Sequence, residues 1–324
     1  MNQKIIFFGT SEFAVRILEK LVETNFKPSL IITTPDQPAG RGKKIIPNPV
    51  KKFFTETINP SGTGMALLQP EKLDADFIAQ IANFNFDMAV MASYGKILPK
   101  TLIDLFPNGV LNIHPSLLPK HRGSSPIQTT ILNGDKETGI TIILADEKMD
   151  HGPIFGQRVF DLTSSGGEVK WTYQSLHDAL ANLGAELLIE ILPKWIAGEI
   201  EPKEQDHSQV TLTKLLKKSD GKIDWSNDAD YVECMVRAYN PWPGVFTHLD
   251  VRRLSGGSMS LKIVKAEVIE NNKNFEAGRY FEADSYLAVA CGKDALKLLV
   301  VQPEGKKEMS GRDFLHGHKD LLDQ

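Results

Sequence analysis

A chain of 324 residues exceeds one typical globular core, so two domains are the default expectation. With 41% hydrophobic and 24% charged residues it has an ordinary soluble composition, and no apolar run approaches the roughly 18–20 residues a membrane span needs. Lys and Arg total 37 against 41 Asp and Glu, and the formal charge of −4 argues against indiscriminate nucleic-acid binding, leaving only local basic patches for such contacts.

The opening residues run straight into a strand-like stretch, Ile5–Phe8, without a cleavage-site pattern, so no signal peptide is expected. Cys234 and Cys291 are isolated and lack metal-ligand spacing, which fits small core residues in a reducing cytoplasm.

In chain order, Lys4–Gly9 reads as a first strand. Phe13, Ile17 and Leu21, flanked by Ala14, Leu18 and Val22, then mark one face of a helix. Ser29–Thr33 is a second strand candidate, followed by a Pro/Gly/Lys-rich stretch to about Lys52. Leu73, Phe77 and Ile81 mark another amphipathic helix. Met88–Ser93, Gly109–Ile113 and Gly139–Leu144 are further buried strand candidates. This alternation predicts an α/β domain with a mostly parallel, Rossmann-like sheet covered by helices. Leu176, Leu180, Leu183, Leu187 and Ile191 keep a helical period.

The polar stretch after Gly198 then predicts a linker. Past it, Val245–Leu249, Leu261–Ile269, Ser285–Ala290 and Ala295–Gln302 read as short strands separated by Gly and Asn turns. The expected organisation is an α/β domain over 1–198, a linker over 199–207 and a small C-terminal β-barrel over 208–324.

The chemistry concentrates in Asn112-Ile113-His114-Pro115 and in Asp150. Alternate side chains of a strand share a face, so Asn112 and His114 point the same way. Pro115 biases His114 towards an extended backbone. In an open α/β sheet, ligands bind beyond the carboxyl ends of the strands, where both residues fall and which Asp150, after the next strand, can reach. An amide and an imidazole can both donate to an oxygen that gains negative charge, as in acyl or formyl transfer, and a neighbouring carboxylate favours the charged ring. The same spacing also fits a satisfied buried histidine and a strand-end turn residue; the residues alone leave both readings open.

At these positions the chain resembles the folate-dependent formyltransferases, whose catalytic Asn, His and Asp match Asn112, His114 and Asp150. The resemblance implies that the following Ser116, Leu117, Leu118 and Pro119 line the folate site. It continues through Lys120–Gln128 and into the opening, Phe8-Gly9-Thr10-Ser11-Glu12-Phe13-Ala14, where Ser11 stands in place of the usual proline. Thr34–Lys44, Asp220–Trp225, Arg237–Gly244 and Gln302–Phe314 extend it across both domains in order. These narrow the match to members that formylate methionyl-tRNA. The resemblance thus implies 10-formyltetrahydrofolate as donor and initiator methionyl-tRNA as acceptor, with no metal and an OB-like second domain that binds tRNA. A cytoplasmic monomer is the corresponding expectation.

The loop Asp36–Lys52 carries Arg41, Lys43, Lys44, Lys51 and Lys52 against Asp36. By composition this is an ordinary solvated loop, but the family loop contacts the acceptor end of the tRNA, so Arg41, Lys43 and Lys44 are expected to contact RNA. Lys214, Lys217, Lys218 and Lys222 fit a solubilising surface as well as a backbone-binding patch. Thr211–Leu215 departs from the family pattern there. Gly9 alone is no dinucleotide fingerprint, and His316 and His318 do not have zinc-site spacing. Trp225 and Trp242 are expected to pack. Tyr94, Gly95, Leu98 and Pro99 fit either a pterin lining or loop packing.

Overall fold

A computed structural model of the chain describes residues 3–39, 44–60, 65–163, 170–250 and 258–323. The chain divides into two compact units. Met1–Pro126, Glu137–Ser164 and His177–Thr213 form one, and Ile127–Lys136, Ser165–Leu176 and Lys214–Gln324 form the other.

The first unit is built from β1 (Ile5–Gly9), α1 (Glu12–Val22), β2 (Leu30–Ile32), β3 (Gln37–Ala39), β4 (Lys44–Ile46), α2 (Pro49–Phe53), β5 (Ala66–Leu68), α3 (Ala75–Ala82), β6 (Met88–Ala92), α4 (Lys100–Ile103), β7 (Val110–His114), β8 (Arg122–Gly123), α5 (Pro126–Asn133, entering the second unit), β9 (Glu137–Leu144), β10 (Ile154–Asp161) and α6 (Tyr173–Ile196). The main sheet has the order β10-β9-β7-β6-β1-β2-β5. β1, β2, β5, β6 and β7 are mutually parallel where they pair. Their sequences, such as Ile5-Ile6-Phe7-Phe8, are apolar without alternation because helices and loops bury both faces. Phe8, Ile32, Phe77, Ile81, Leu102 and Val110 share one core cluster.

Two features depart from a wholly parallel sheet. β9 runs antiparallel to β7, and β10 returns antiparallel along β9 at the sheet edge. β10 escapes the sequence reading because it is half-exposed, with Gln157 and Arg158 breaking any apolar run. The stretch after β2 also holds more order than its composition suggests, since β3 and β4 pair as a hairpin.

Ser11 sits at the N-cap of α1, yet its buried hydroxyl finds no hydrogen-bond partner among the described residues. Replacing an N-cap serine by alanine ordinarily costs about 0.5–2 kcal/mol. Here no cap is lost and an unsatisfied hydroxyl is removed, so Ser11→Ala is expected to leave the thermal midpoint unchanged or raised. A drop of several degrees in a melting experiment would show that the hydroxyl does cap the helix.

The second unit contains α7 (Ala229–Tyr239), β12 (Val245–Asp250), β13 (Ser258–Ile269), β14 (Tyr280–Ala283), β15 (Tyr286–Ala290), β16 (Ala295–Pro303), β17 (Met309–Ser310) and α8 (Gly311–His316), and β11 (Leu212–Thr213) leads into it. Its antiparallel sheet has the order β12-β13-β16-β15-β14, with β17 on β16. β13 is irregular against β16 at Lys265, a bulge that bends a long strand. The fold is therefore a Rossmann-like α/β unit followed by a small antiparallel β unit, as expected. α7 is additional: Val232, Met235, Val236 and Tyr239 form its buried face. Trp225 packs inward and its indole N–H donates to Thr247 Oγ1 at 3.2 Å, whereas Trp242, also expected to pack, is 57% exposed.

Candidate active site

β1, β6 and β7 end together, with Gly9 opposite Ala92 and Met91 opposite Asn112, so their following loops share one edge of the sheet. Thr10 Oγ1 ties two of these loops by donating to the Tyr94 carbonyl at 3.0 Å. Asn112 and His114 stand at the end of β7, both buried. Two residues apart, they face the same side and meet Asp150 from the turn after β9. Asn112 Nδ2 donates to Asp150 Oδ1 at 3.3 Å, and His114 Nδ1 lies 3.5 Å from the same oxygen.

The two oxygens of Asp150 have different partners. Oδ2 accepts the Gly123 N–H at 2.8 Å, which anchors the carboxylate to the main chain. Oδ1 faces the amide and the ring at distances too long for strong hydrogen bonds. The side chains of His114 and Asp150 are 5% and 10% exposed, so little water screens this pair. His114 Nε2 is bonded to the His121 carbonyl at 3.0 Å; a carbonyl only accepts, so Nε2 carries a proton. Nδ1 is then the ring atom that faces the carboxylate. The Asn112 amide has two N–H groups, and one remains for a reactant once Asp150 takes the other.

Backbone strain gathers here. Asp150 (φ +50°) and His121 (φ +59°) both take the left-handed conformation without being glycine. Such residues cost about 1–3 kcal/mol each and persist where surrounding structure holds them. Gly152 lets the Asp150 turn close, because a Cβ there would lie 1.8 Å from the Leu144 carbonyl oxygen.

Among Ser116–Pro119, Ser116 and Leu118 are buried and serve the turn itself. Ser116 Oγ donates to the Lys120 carbonyl at 2.7 Å, and Leu118 N–H donates to Thr141 Oγ1 at 3.0 Å. Thr141 lies opposite His114 in the sheet and donates to the Ser116 carbonyl at 2.6 Å. Leu117 and Pro119 are the partly exposed members. Tyr94 and Leu98 belong to the core: Tyr94 packs edge-on against Phe8 at 5.4 Å, and burial pushes its phenol pKa upward.

Sequence reasoning missed Thr141, Gly123 and Gln205. Gln205 falls within the stretch expected as a linker. It is only 5% exposed there, and Lys203 nearby pairs with Ile154. No apolar pattern marks it, and a lone glutamine among charged residues carries no sequence signal. Arg122 beside the site is also buried; desolvation lowers its pKa, opposed by the Asp150 and Asp146 carboxylates.

Residues 3–192 match the family model described as formyl transferase, and residues 215–319 match its C-terminal domain. The chain is 41% identical over 325 residues to a methionyl-tRNA formyltransferase of Chloroflexus aurantiacus, covering 98% of both chains. It is 40% identical over 315 residues to the Methylococcus capsulatus enzyme of that name, covering 97% of both. The chain belongs to the methionyl-tRNA formyltransferase family.

Solved structures extend the likeness at the level of fold. HypX from Aquifex aeolicus in complex with tetrahydrofolic acid superposes with a TM-score of 0.64 at 15% identity, over 99% of this chain and 48% of HypX. The Helicobacter canadensis N-formyltransferase with folinic acid and dTDP-3-aminofucose gives 0.64 at 17% identity, over 91% and 99%.

In this member of the methionyl-tRNA formyltransferase family, the loop expected to meet RNA follows the carboxyl end of β2. Arg41 and Lys43 lie outside the described residues, and Lys44 is exposed at the start of β4. The base of the loop is clamped. Asn48 Nδ2 and Gln69 Nε2 both donate to the Thr34 carbonyl, at 2.7 and 2.9 Å. Lys51 Nζ donates to Asp36 Oδ2 at 2.6 Å and Gln69 Nε2 donates to Asp36 Oδ1 at 2.7 Å, which together hold Asp36 below its ordinary pKa. In the second unit Lys214 pairs with Asp220 at 2.7 Å, while Lys217, Lys218 and Lys222 are exposed. Among the described residues no helix is long and apolar enough to cross a membrane. Nor does any group of three or more His, Cys, Asp or Glu there have the arrangement to hold a metal.

Proposed function

We propose that formyl transfer from 10-formyltetrahydrofolate to the amino group of initiator methionyl-tRNA by this chain, in support of translation initiation, runs by direct attack of the amine on the formyl carbon beside Asn112, His114 and Asp150. The observation that carries this reading is the convergence of an amide and an imidazole on one carboxylate oxygen, Asp150 Oδ1, at the carboxyl end of β7.

The donor supplies an electrophilic formyl carbon, and its oxygen gains negative charge as the amine adds. The free N–H of Asn112 and the Nδ1 side of His114 are the donors for that oxygen. Each such donor, fixed in advance and out of water, is worth about 3–4 kcal/mol of barrier. Asp150 orients the ring and the amide, stabilises positive charge on the imidazole, and accepts the proton that the attacking amine must lose, directly or through water. The tetrahedral intermediate then collapses as the bond from the formyl carbon to the donor nitrogen breaks, and that nitrogen takes the proton and leaves as tetrahydrofolate. No enzyme nucleophile is needed.

The residues present suit the donor. Leu117 and Pro119 offer partly exposed apolar surface to a flat ring, and Ser116 and Leu118 fix the turn that presents them. On the acceptor side, Arg41, Lys43 and Lys44 contact the tRNA from a loop whose base is clamped. Residues 1–198 act as the catalytic domain and 208–324 as a tRNA-binding domain joined by residues 199–207, and the enzyme works as a cytoplasmic monomer.

The test is transfer from 10-formyltetrahydrofolate to charged initiator tRNA or to a small amine. Arg41→Ala is expected to lower kcat/KM for charged tRNA about tenfold, the loss of one phosphate-type contact, while folate binding stays within about twofold. Equal loss of both would indicate misfolding, and full activity would remove Arg41 from the RNA contact.

A further inference from the structure

We propose that Gln205 is a positioning residue for the reaction, acting through Asp150 and the peptide that anchors His114. The inference rests on the catalytic reading of Asp150 given above. The Gln205 side chain uses its full bonding capacity on the site's supports. Nε2 donates to the Asp150 carbonyl at 3.0 Å and to the Gly152 carbonyl at 2.7 Å. Oε1 accepts from Arg122 Nε at 3.1 Å and from its terminal NH2 group at 2.6 Å.

Arg122 lies between two peptides that the site depends on. The carbonyl of His121 accepts from His114 Nε2, and the N–H of Gly123 holds Asp150 Oδ2. One amide therefore fixes the Asp150 turn against the peptide pair that aims the ring and the carboxylate. The same guanidinium donates to His207 Nδ1 at 2.9 Å, and the His207 ring stacks 4.4 Å from that of His151, the residue after Asp150. The segment then continues the brace. Thr211 Oγ1 accepts from His121 N–H at 2.8 Å, and β11 pairs in parallel with β8.

Such a brace is needed because Asp150 and His121 hold left-handed backbones that the local sequence does not favour. A misplacement of about 1 Å in a reacting group costs on the order of 10²-fold in rate. Supporting hydrogen bonds are what prevent it.

Two substitutions separate positioning from mere packing. Gln205→Glu keeps the side-chain volume and strengthens the bond to Arg122 through its charge, but loses both N–H donors to the Asp150 turn. Gln205→Met keeps volume and loses both halves. The positioning role predicts that Gln205→Glu lowers kcat about 10–100-fold, with KM for methionyl-tRNA within about twofold and a thermal midpoint near that of the parent. Gln205→Met should lose at least as much turnover.

The same measurements are made with Asp150→Asn and with the Gln205→Glu, Asp150→Asn double variant. Little further loss in the double variant supports action through Asp150. Wild-type kcat in the folded Glu variant, or full additivity in the double, overturns the proposal and leaves the reading of Asp150 standing. Normal turnover in Asp150→Asn alone sinks both.

Discussion

Asp150→Asn is expected to slow single-turnover formyl transfer by about 10²–10³-fold, the effect of losing one preorganised electrostatic group, while folding and tRNA binding persist. The substitution preserves shape and still offers an oxygen to the Gly123 N–H. It removes the charge that Asn112 Nδ2 and His114 Nδ1 face at 3.3 and 3.5 Å, and it removes the acceptor for the amine proton. Asn112→Ala and His114→Ala should fall in the same range. The three losses should not add, because the groups act as one unit around a single oxygen. Rapid-quench measurement of formyl-methionyl-tRNA with enzyme in excess isolates the chemical step. A near-normal rate for any one variant would remove that residue from the chemistry.

Gly152→Ala carries the largest expected effect on stability. A Cβ at that position would sit 1.8 Å from the Leu144 carbonyl oxygen and 3.0 Å from its carbon, which is main chain and cannot rotate away. The turn must lift off β9, which strains the bond of Leu144 N–H to the Pro153 carbonyl and moves Asp150, two residues away. Overpacking of this kind costs roughly 1–3 kcal/mol or more. For a protein of this size that lowers the thermal midpoint by about 1–2 °C per kcal/mol. Turnover measured well below the midpoint should also fall, as the carboxylate is displaced. Unchanged melting and unchanged turnover together would mean that the turn moves freely.

Where the physics is local and periodic, the sequence carries the fold plainly. The continuous apolar runs of β1, β6 and β7 and the spacing of Phe13, Ile17 and Leu21 in α1 announce buried strands and an amphipathic helix. The alternation of Asn112 and His114 about Ile113 is equally local, and both side chains do meet Asp150. What escaped has no periodic signature. β10 is an edge strand with one wet face. α7 is the exception: Val232, Met235, Val236 and Tyr239 keep a helical period, but turn residues on both sides and acidic residues between them obscure it. The reversal of β9 depends on pairing partners distant in sequence. Gln205 is the extreme case: its role arises from four bonds to Asp150, Gly152 and Arg122, and nothing in residues 199–209 foretells them.

The anchor of Asp150 Oδ2 is a peptide nitrogen, that of Gly123. Position 123 also needs glycine for room and for a φ of +117°, since a Cβ would meet the Thr213 carbonyl oxygen at 2.6 Å. Two demands are thus superimposed on one letter of the alphabet, and only the spatial one is visible there. The electrostatic one belongs to the path of the chain, so no side-chain exchange other than to proline, which lacks the N–H, can delete it; otherwise it is inherited, or lost, together with the bend that aims it.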